Sequence, residues 1–252
     1  MIHIDPQAEP FCLPGDSDTA LLFIHGFTAS PSEILPTAKL IHQNNRHTIS
    51  GILLPGHGSS ARYLQDTTWQ DWYAAVQKEL LFLLEKFARV FIAGLSLGAL
   101  LALHAAREFR AIKGVIVINA PIYNKFPLLT ASAPIMRVVK PYYPKKDKMR
   151  FRELAAQGRF AYEVTPVKAF LSMLCLRQQI MGEMNEIKAP LLVFQALKDE
   201  SVHRKSADFL LQNAVVTTSR IVELPLSEHV ATMGPEKEII AQEIGDFIQR
   251  IP

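Results

Sequence analysis

The sequence predicts an α/β protein: a mostly parallel sheet, helices on both of its faces, and a small helical cap. Three observations predict it. Short apolar runs of strand length alternate with longer segments of helical periodicity. One such run ends in Gly94-Leu95-Ser96-Leu97-Gly98, and an Ala/Leu-rich helix opens directly from it. About seventy residues between positions 121 and 189 then break the alternation. They are too many for a structureless connection and carry helical patterns of their own.

In chain order, residues near Phe11 predict an antiparallel edge strand, and the run Ala-Leu-Leu-Phe-Ile-His at 20–25 a buried strand. Ser30-Pro31-Ser32-Glu33 predicts a helix start, with serine as N-cap, proline first in the helix and glutamate three residues past the cap. Residues 48–54 form the next strand, stopped by Pro55-Gly56-His57-Gly58. Thr68 and Asp71 cap a helix to about Lys86 that buries Trp72, Val76, Leu80, Leu83 and Leu84. Strands follow at 89–94 and 114–119, with a helix over 96–108 between them. Strands at 190–197 and 219–224 flank a helix over 203–213. A last amphipathic helix over 235–248 turns Ile239, Ile240, Ile244, Phe247 and Ile248 inward. Residues 1–120 and 190–252 thus make the core, and residues 121–189 an inserted cap. In the cap, Thr165-Pro166 starts a helix bearing Val167, Phe170, Leu171 and Leu174 at helical spacing.

Composition narrows the function. Hydrophobic residues make up 49% of the 252, enough to cover both faces of a parallel sheet. A net charge of +3 does not suggest a nucleic-acid binder. No apolar run approaches the roughly 18 residues of a membrane span. Asp5, Glu9, Asp16 and Asp18 interrupt the first twenty residues, unlike a signal peptide. Cys12 and Cys175, the only cysteines, are expected as reduced, buried thiols of a cytoplasmic protein. No metal-ligand spacing occurs, and neither metal nor cofactor is expected.

The pattern G-x-S-x-G is weak by itself. Between an apolar strand and a helix it predicts a strained elbow that presents Ser96 at the sheet edge, with a helix N-terminus behind the hydroxyl. The rival is a serine that merely caps a buried helix. A serine nucleophile needs a base oriented by a carboxylate. Leu197-Lys198-Asp199-Glu200 and Ser227-Glu228-His229-Val230 lie after later strands, at the same sheet end as Ser96. Of the eight histidines, His229 fits the base best. His25 and His57 compete, but His25 fits a role in ordering a loop and His57 precedes the serine in sequence. Asp199 is the favoured acid, with Glu200 as the alternative. His25-Gly26-Phe27 follows the first buried strand, so the backbone N–H groups of Phe27 and Leu97 are the expected oxyanion donors.

Together these motifs resemble the bacterial carboxylesterase and monoacylglycerol lipase family of α/β-hydrolases. The resemblance rests on His25-Gly26-Phe27-Thr28, Pro55-Gly56-His57-Gly58, the Ser96 elbow, Ala120-Pro121, Thr165-Pro166 and the Asp199 and His229 loops. It implies an α/β-hydrolase fold and a cofactor-independent serine esterase. Its substrates would be esters of short- to medium-chain acyl groups, including monoacylglycerols, cleaved through an acyl-enzyme. The mapped roles are nucleophile Ser96, acid Asp199, base His229 and oxyanion donors Phe27 and Leu97. Two positions depart from the pattern. Ala99 replaces a frequent third glycine, and Glu228 stands where relatives often have glycine, placed to raise the pKa of His229.

Phe27, Ile122, Phe170, Leu171 and Leu174 are candidate substrate-pocket residues, with Leu128, Leu129, Ile135, Met136 and Met173 as further apolar cap residues. Residues 137–152 hold seven basic side chains against Asp147 alone, which suits a solvated face, an anionic lipid surface or an anionic acyl substrate. A thioesterase, amidase or C–C bond hydrolase would use the same residues, and a non-catalytic binding module would use none of them.

Overall fold

The structure, a computed structural model, describes residues 3–127, 133–135, 140–145, 148–216 and 218–251. Its main sheet has seven strands. These are β1 (Phe11–Leu13), β2 (Thr19–Ile24), β3 (Thr48–Ile52), β4 (Arg89–Leu95), β5 (Ile112–Ile118), β8 (Leu191–Ala196) and β9 (Arg220–Leu224), in the order β1-β3-β2-β4-β5-β8-β9. All pair in parallel except β1, which runs antiparallel on β3 at the edge, as expected near Phe11.

The apolar runs become strands because both faces are covered. In β2, Ala20, Leu22 and Ile24 pack to one side, and Leu21 and Phe23 to the other. An unbroken apolar run is what a strand buried on both faces requires. Helices α3 (Trp69–Lys86) and α4 (Leu97–Glu108) bury their apolar stripes on the first side. The second side is covered by α1 (Leu35–Asn45) and α8 (Lys237–Arg250). The capping box of α3 forms, with the Thr68 N–H donating to Asp71 Oδ2 at 2.8 Å. A short α2 (Ala61–Gln65) precedes it, and α7 (Lys205–Gln212) joins β8 to β9.

Several expectations need correction. Ser30 and Pro31 do start a helix, but it is a single 3-10 turn, Pro31–Glu33. The Ser30 side chain makes no cap bond, α1 begins only at Leu35, and Glu33 is drawn inward by Gly26 and by Arg159 far along the chain. Ile239 is 48% exposed, because the inner stripe of α8 runs through Ile240, Ile244, Phe247 and Ile248 instead. Both thiols are free, but neither is buried. Cys12 takes the outward register of the edge strand β1, and Cys175 lies on the outer side of a helix, between inward-packed Leu174 and Leu176.

Between β5 and β8 the chain leaves the sheet. The described part carries β6 (Tyr142–Pro144), α5 (Lys148–Ala156), β7 (Val164–Pro166) and α6 (Val167–Glu183). The ladder between β6 and β7 adds a β element to a region expected to be helical. Thr165 pairs with Tyr143 in it, and α6 starts just after Pro166. Leu128, Leu129, Met136, Arg137, Lys146 and Asp147 lie outside the described residues. Among those described, no helix is long and apolar enough to cross a membrane.

Candidate active site

At the end of β4 the backbone turns sharply into α4. Ser96 sits on that turn with φ 56° and ψ −113°, a conformation L-residues avoid unless the surroundings impose it. Two glycines allow the turn. A Cβ on Gly94 would stand 2.0 Å from the Gly98 carbonyl carbon, and one on Gly98 would stand 2.2 Å from the Ile24 carbonyl oxygen. The Ser96 N–H donates to Ile118 O at 2.9 Å, which fixes the turn against β5. The N-terminus of the twelve-residue α4 lies directly behind the serine.

Asp199 and His229 come from the loops after β8 and β9. The Nδ1–H of His229 donates to Asp199 Oδ2 at 2.7 Å. A carboxylate only accepts, so this bond places the neutral ring's proton on Nδ1 and leaves Nε2 as the basic nitrogen. Asp199 Oδ1 accepts the N–H groups of Ser201 and Val202 at 2.7 and 2.8 Å. Glu200, the alternative acid, meets the backbone instead, accepting the His229 N–H on Oε2 at 3.3 Å.

Burial disfavours the charged form of both members of this pair, yet their mutual attraction prevails. The charge and hydrogen bond of His229, with the two backbone N–H groups, hold Asp199 below its ordinary value. Burial pulls His229 down, but Asp199, then Glu200 and Glu33, bring it above 6.5. The carboxylate expected to act on His229 was Glu228. Its Oε2 lies instead 2.6 Å from Arg150 Nε, and the raising comes from Asp199 first, then Glu200 and Glu33.

The competing histidines have both ring nitrogens occupied. His25 donates from Nδ1 to Gly26 O at 2.9 Å and accepts the Leu54 N–H on Nε2 at 3.1 Å. His57 donates from Nδ1 to Pro55 O and accepts the Thr28 N–H on Nε2, each at 3.2 Å. Burial holds His25 near a pKa of about 4, and burial with its neighbour His25 takes His57 well below 6.5. Both are neutral structural groups that shape the turn at 25–28.

In that turn the Gly26 N–H donates to Glu33 Oε1 at 2.6 Å and the Thr28 N–H to His57. The Phe27 N–H between them has no partner among the described residues, nor does the Leu97 N–H. The absent Cβ of Gly26 would stand 3.4 Å from Ser96 Cβ, so turn and elbow abut.

A cavity of about 590 Å³ opens at this junction, and Ser96, His229 and Phe27 all line it. From α6, Val167, Phe170 and Met173 face it. Of the candidate pocket residues, Phe27 and Phe170 are therefore in its wall. Ile122, Leu171 and Leu174 are not among the lining residues: Ile122 is buried in the core, and Leu174 packs against it. Ile135 points outward.

Four features of the site were not assigned to it by the sequence, although Glu33 stood in a helix-start motif and Lys145 in the basic stretch. Asn119, at φ 48°, ends β5 and ties two loops, donating from Nδ2 to His229 O and accepting the Ala196 N–H, each at 2.8 Å. Glu33, 1% exposed, holds Gly26 and forms a two-pronged pair with Arg159 at 2.7 and 2.9 Å. Tyr162 donates from its N–H to Thr28 O at 2.8 Å. Lys145 donates from Nζ to Thr28 Oγ1 at 2.6 Å. Burial, then neighbouring Arg159, lower Lys145 to about 7 against a smaller opposing pull from Glu33. Among the described residues, no cluster of His, Cys, Asp and Glu could hold a metal ion.

Known proteins give this geometry its context. The family model for the alpha/beta hydrolase family matches residues 21–242. A thermostable monoacylglycerol lipase of Bacillus sp. (strain H-257) is 28% identical over 247 residues, covering 96% of this chain and 95% of the relative. A carboxylesterase of Bacillus subtilis (strain 168) is 23% identical over 244 residues, covering 96% and 97%. A solved structure associated with the metagenome-derived lipolytic enzymes LipS and LipT superposes with a TM-score of 0.88 at 26% identity, covering 98% of this chain and all of the other. The chain belongs to the alpha/beta hydrolase family and is a hydrolase of the esterase and lipase type.

Proposed function

We propose that the protein is a serine esterase cleaving esters of short- to medium-chain acyl groups, monoacylglycerols among them, through an acyl-enzyme. The observation that carries this reading is the Ser96 elbow facing the same cavity as a histidine oriented by Asp199. In the first step His229 Nε2 takes the Ser96 proton as Oγ attacks the ester carbonyl carbon. The carbonyl oxygen, now negative, accepts the N–H groups of Phe27 and Leu97. Each such donor is worth about 2.7–4 kcal/mol in other enzymes. The alcohol leaves with the proton from His229. Water, deprotonated by the same nitrogen, then attacks the acyl-enzyme and releases the acid and free Ser96.

Residues 121–189 act in this reading as a cap over a core of 1–120 and 190–252. Phe27, Val167, Phe170 and Met173 offer apolar wall for an acyl chain, and a cavity of this size suits a small ligand. Exposed free thiols at Cys12 and Cys175 suit a reducing compartment such as the cytoplasm.

The test is Ser96→Ala, assayed on p-nitrophenyl esters and monoacylglycerols of graded chain length, with acyl-CoAs alongside. The variant is expected to fold, to lose ester turnover and to escape labelling by a fluorophosphonate that labels the wild type. Wild-type turnover by the variant would refute the assignment. A preference for acyl-CoA over oxygen esters would recast the enzyme as a thioesterase.

A further inference from the structure

Two members of the basic stretch at 137–152 leave the surface: Lys145 and Arg150 both line the cavity that holds Ser96 and His229, and Arg159 joins them from further along the chain. The charges of the three are met differently. Arg159 is paired with buried Glu33. Arg150 lies against Glu228 at 2.6 Å and Glu153 at 3.3 Å. Among the described residues Lys145 makes no ion pair, and its ammonium donates one hydrogen bond, to the neutral hydroxyl of Thr28. The other carboxylate on the cavity wall, Glu200, is held at the backbone of His229.

Lys145 is fixed rather than trailing. It follows β6 directly, its N–H donates to Glu163 O at 2.9 Å, and its ammonium stands 6.0 Å from the centre of the Phe151 ring. A cation in that setting, with a second cation nearby and no counter-charge of its own, is costly until an anion joins it. Its position says which molecule would carry that anion. Thr28, which receives the ammonium, is the residue after Phe27, whose N–H is the proposed site for the carbonyl oxygen. A group bound at Lys145 would therefore belong to the same small molecule as the ester held at Ser96.

Resting on the esterase reading above, we infer that Lys145 makes this cavity selective for esters that carry a second, anionic group, a carboxylate or a phosphate, a short spacer from the scissile carbonyl. The ammonium has three N–H donors and uses one on Thr28, which leaves two for the anion's oxygens.

Two substrate pairs test it in a pH-stat. Ethyl hydrogen glutarate against ethyl pentanoate places a carboxylate on the acyl side, and butyrylglycerol phosphate against monobutyrin places a phosphate on the alcohol side. The expected result is that kcat/KM of the charged member exceeds that of its neutral partner about tenfold in at least one pair, the size of a charge-assisted hydrogen bond. The pair that shows it names the anion. The excess should vanish in Lys145→Met and Lys145→Gln and persist in Lys145→Arg. Glutamine keeps a donor for Thr28 without the charge, so an excess surviving in Lys145→Gln would mean that the lysine only braces the turn, and would overturn the inference. Hydrolysis of the neutral esters by the wild type with no excess in either pair overturns it too, leaves the esterase reading intact and needs no variant. Failure to hydrolyse all four esters would overturn both.

Discussion

On the sheet side of the cavity, Ser96, Asp199 and His229 follow strand ends whose positions are set by backbone ladders and by two glycines that let β4 turn tightly into α4. On the side formed by residues 121–189, α6 packs Ala169, Met173, Leu176 and Ile180 into the core, and a group of polar contacts is added next to the site. Arg159 reaches Glu33, Lys145 and the Tyr162 N–H reach Thr28, and Ser30 and Ser32 bond the Phe160 backbone at 3.1 and 2.9 Å. Every one of those contacts lands on the segment 28–33, next to the turn that carries the Phe27 N–H. The cap wall therefore does more than cover the cavity. It braces the turn on which the carbonyl oxygen is expected to rest, whereas Ser96 and the Asp199–His229 bond are built on strand ends. Residues 121–189 add support there through Arg150 to Glu228 and the Lys125 N–H to Ser201 O. Mutations on the two walls should accordingly fail in different ways.

The largest effect is expected on the sheet wall. Asp199→Asn should keep the fold, because an amide oxygen still accepts the N–H groups of Ser201 and Val202. It should also lower kcat about ten-thousandfold, since an amide NH2 facing Nδ1 favours the wrong tautomer of His229. Steady-state kinetics beside a thermal melt would show kcat collapsed and Tm nearly unmoved. A small loss of kcat would instead make Glu200 the working acid.

On the cap wall the balance reverses. Glu33→Gln leaves an acceptor for the Gly26 N–H but strips the charge that faces Arg159, which is only 11% exposed. Breaking one side of a buried ion pair costs about 3–5 kcal/mol. Denaturant unfolding should report a loss near that size, with ester turnover falling less than in Asp199→Asn. A stability unchanged to within about 1 kcal/mol would mean that the cap is held by its apolar contacts alone.

The difference between the walls also explains what the sequence disclosed. The elbow was legible because strand, tight turn and helix are local, and each leaves a periodic or glycine signature over a dozen residues. Asp199 and His229 were legible from chain order and strand ends. Glu33 was misread because Ser-x-x-Glu before a helix has a local explanation, and nothing nearby indicates that Arg159, far along the chain, claims the carboxylate. Asn119 acts through two long-range hydrogen bonds and Lys145 through one, and such bonds have no period. The β6–β7 ladder was hidden because Thr165-Pro166, which belongs to it, reads as a helix start.

A milder perturbation of the sheet wall is pH. Protonated His229 cannot accept the Ser96 proton, and its folded pKa is raised above 6.5 by Asp199 and Glu200. The acid limb of kcat/KM should therefore lie above 6.5, with activity falling about tenfold per pH unit below it. Glu200→Gln removes one of the raising charges and should move the limb downward. A limb at or below 6.5 in the wild type would mean that solvent screens both carboxylates from the ring.

The smallest expected effect returns to the cap. Tyr162 donates from its hydroxyl to Gly56 O at 2.8 Å and accepts the Ser59 N–H at 2.9 Å, joining the cap to the loop after β3. Tyr162→Phe removes both bonds but leaves the backbone bond to Thr28, so the turn that carries Phe27 keeps its brace. One or two neutral hydrogen bonds amount to about 1–2 kcal/mol. Tm should fall by several degrees while kcat stays within a few-fold of wild type. If kcat fell as far as Tm suggests it should not, the loop at 56–59 would be coupled to the oxyanion turn through His57, whose Nε2 accepts the Thr28 N–H. The two walls would then meet at that ring rather than at Glu33.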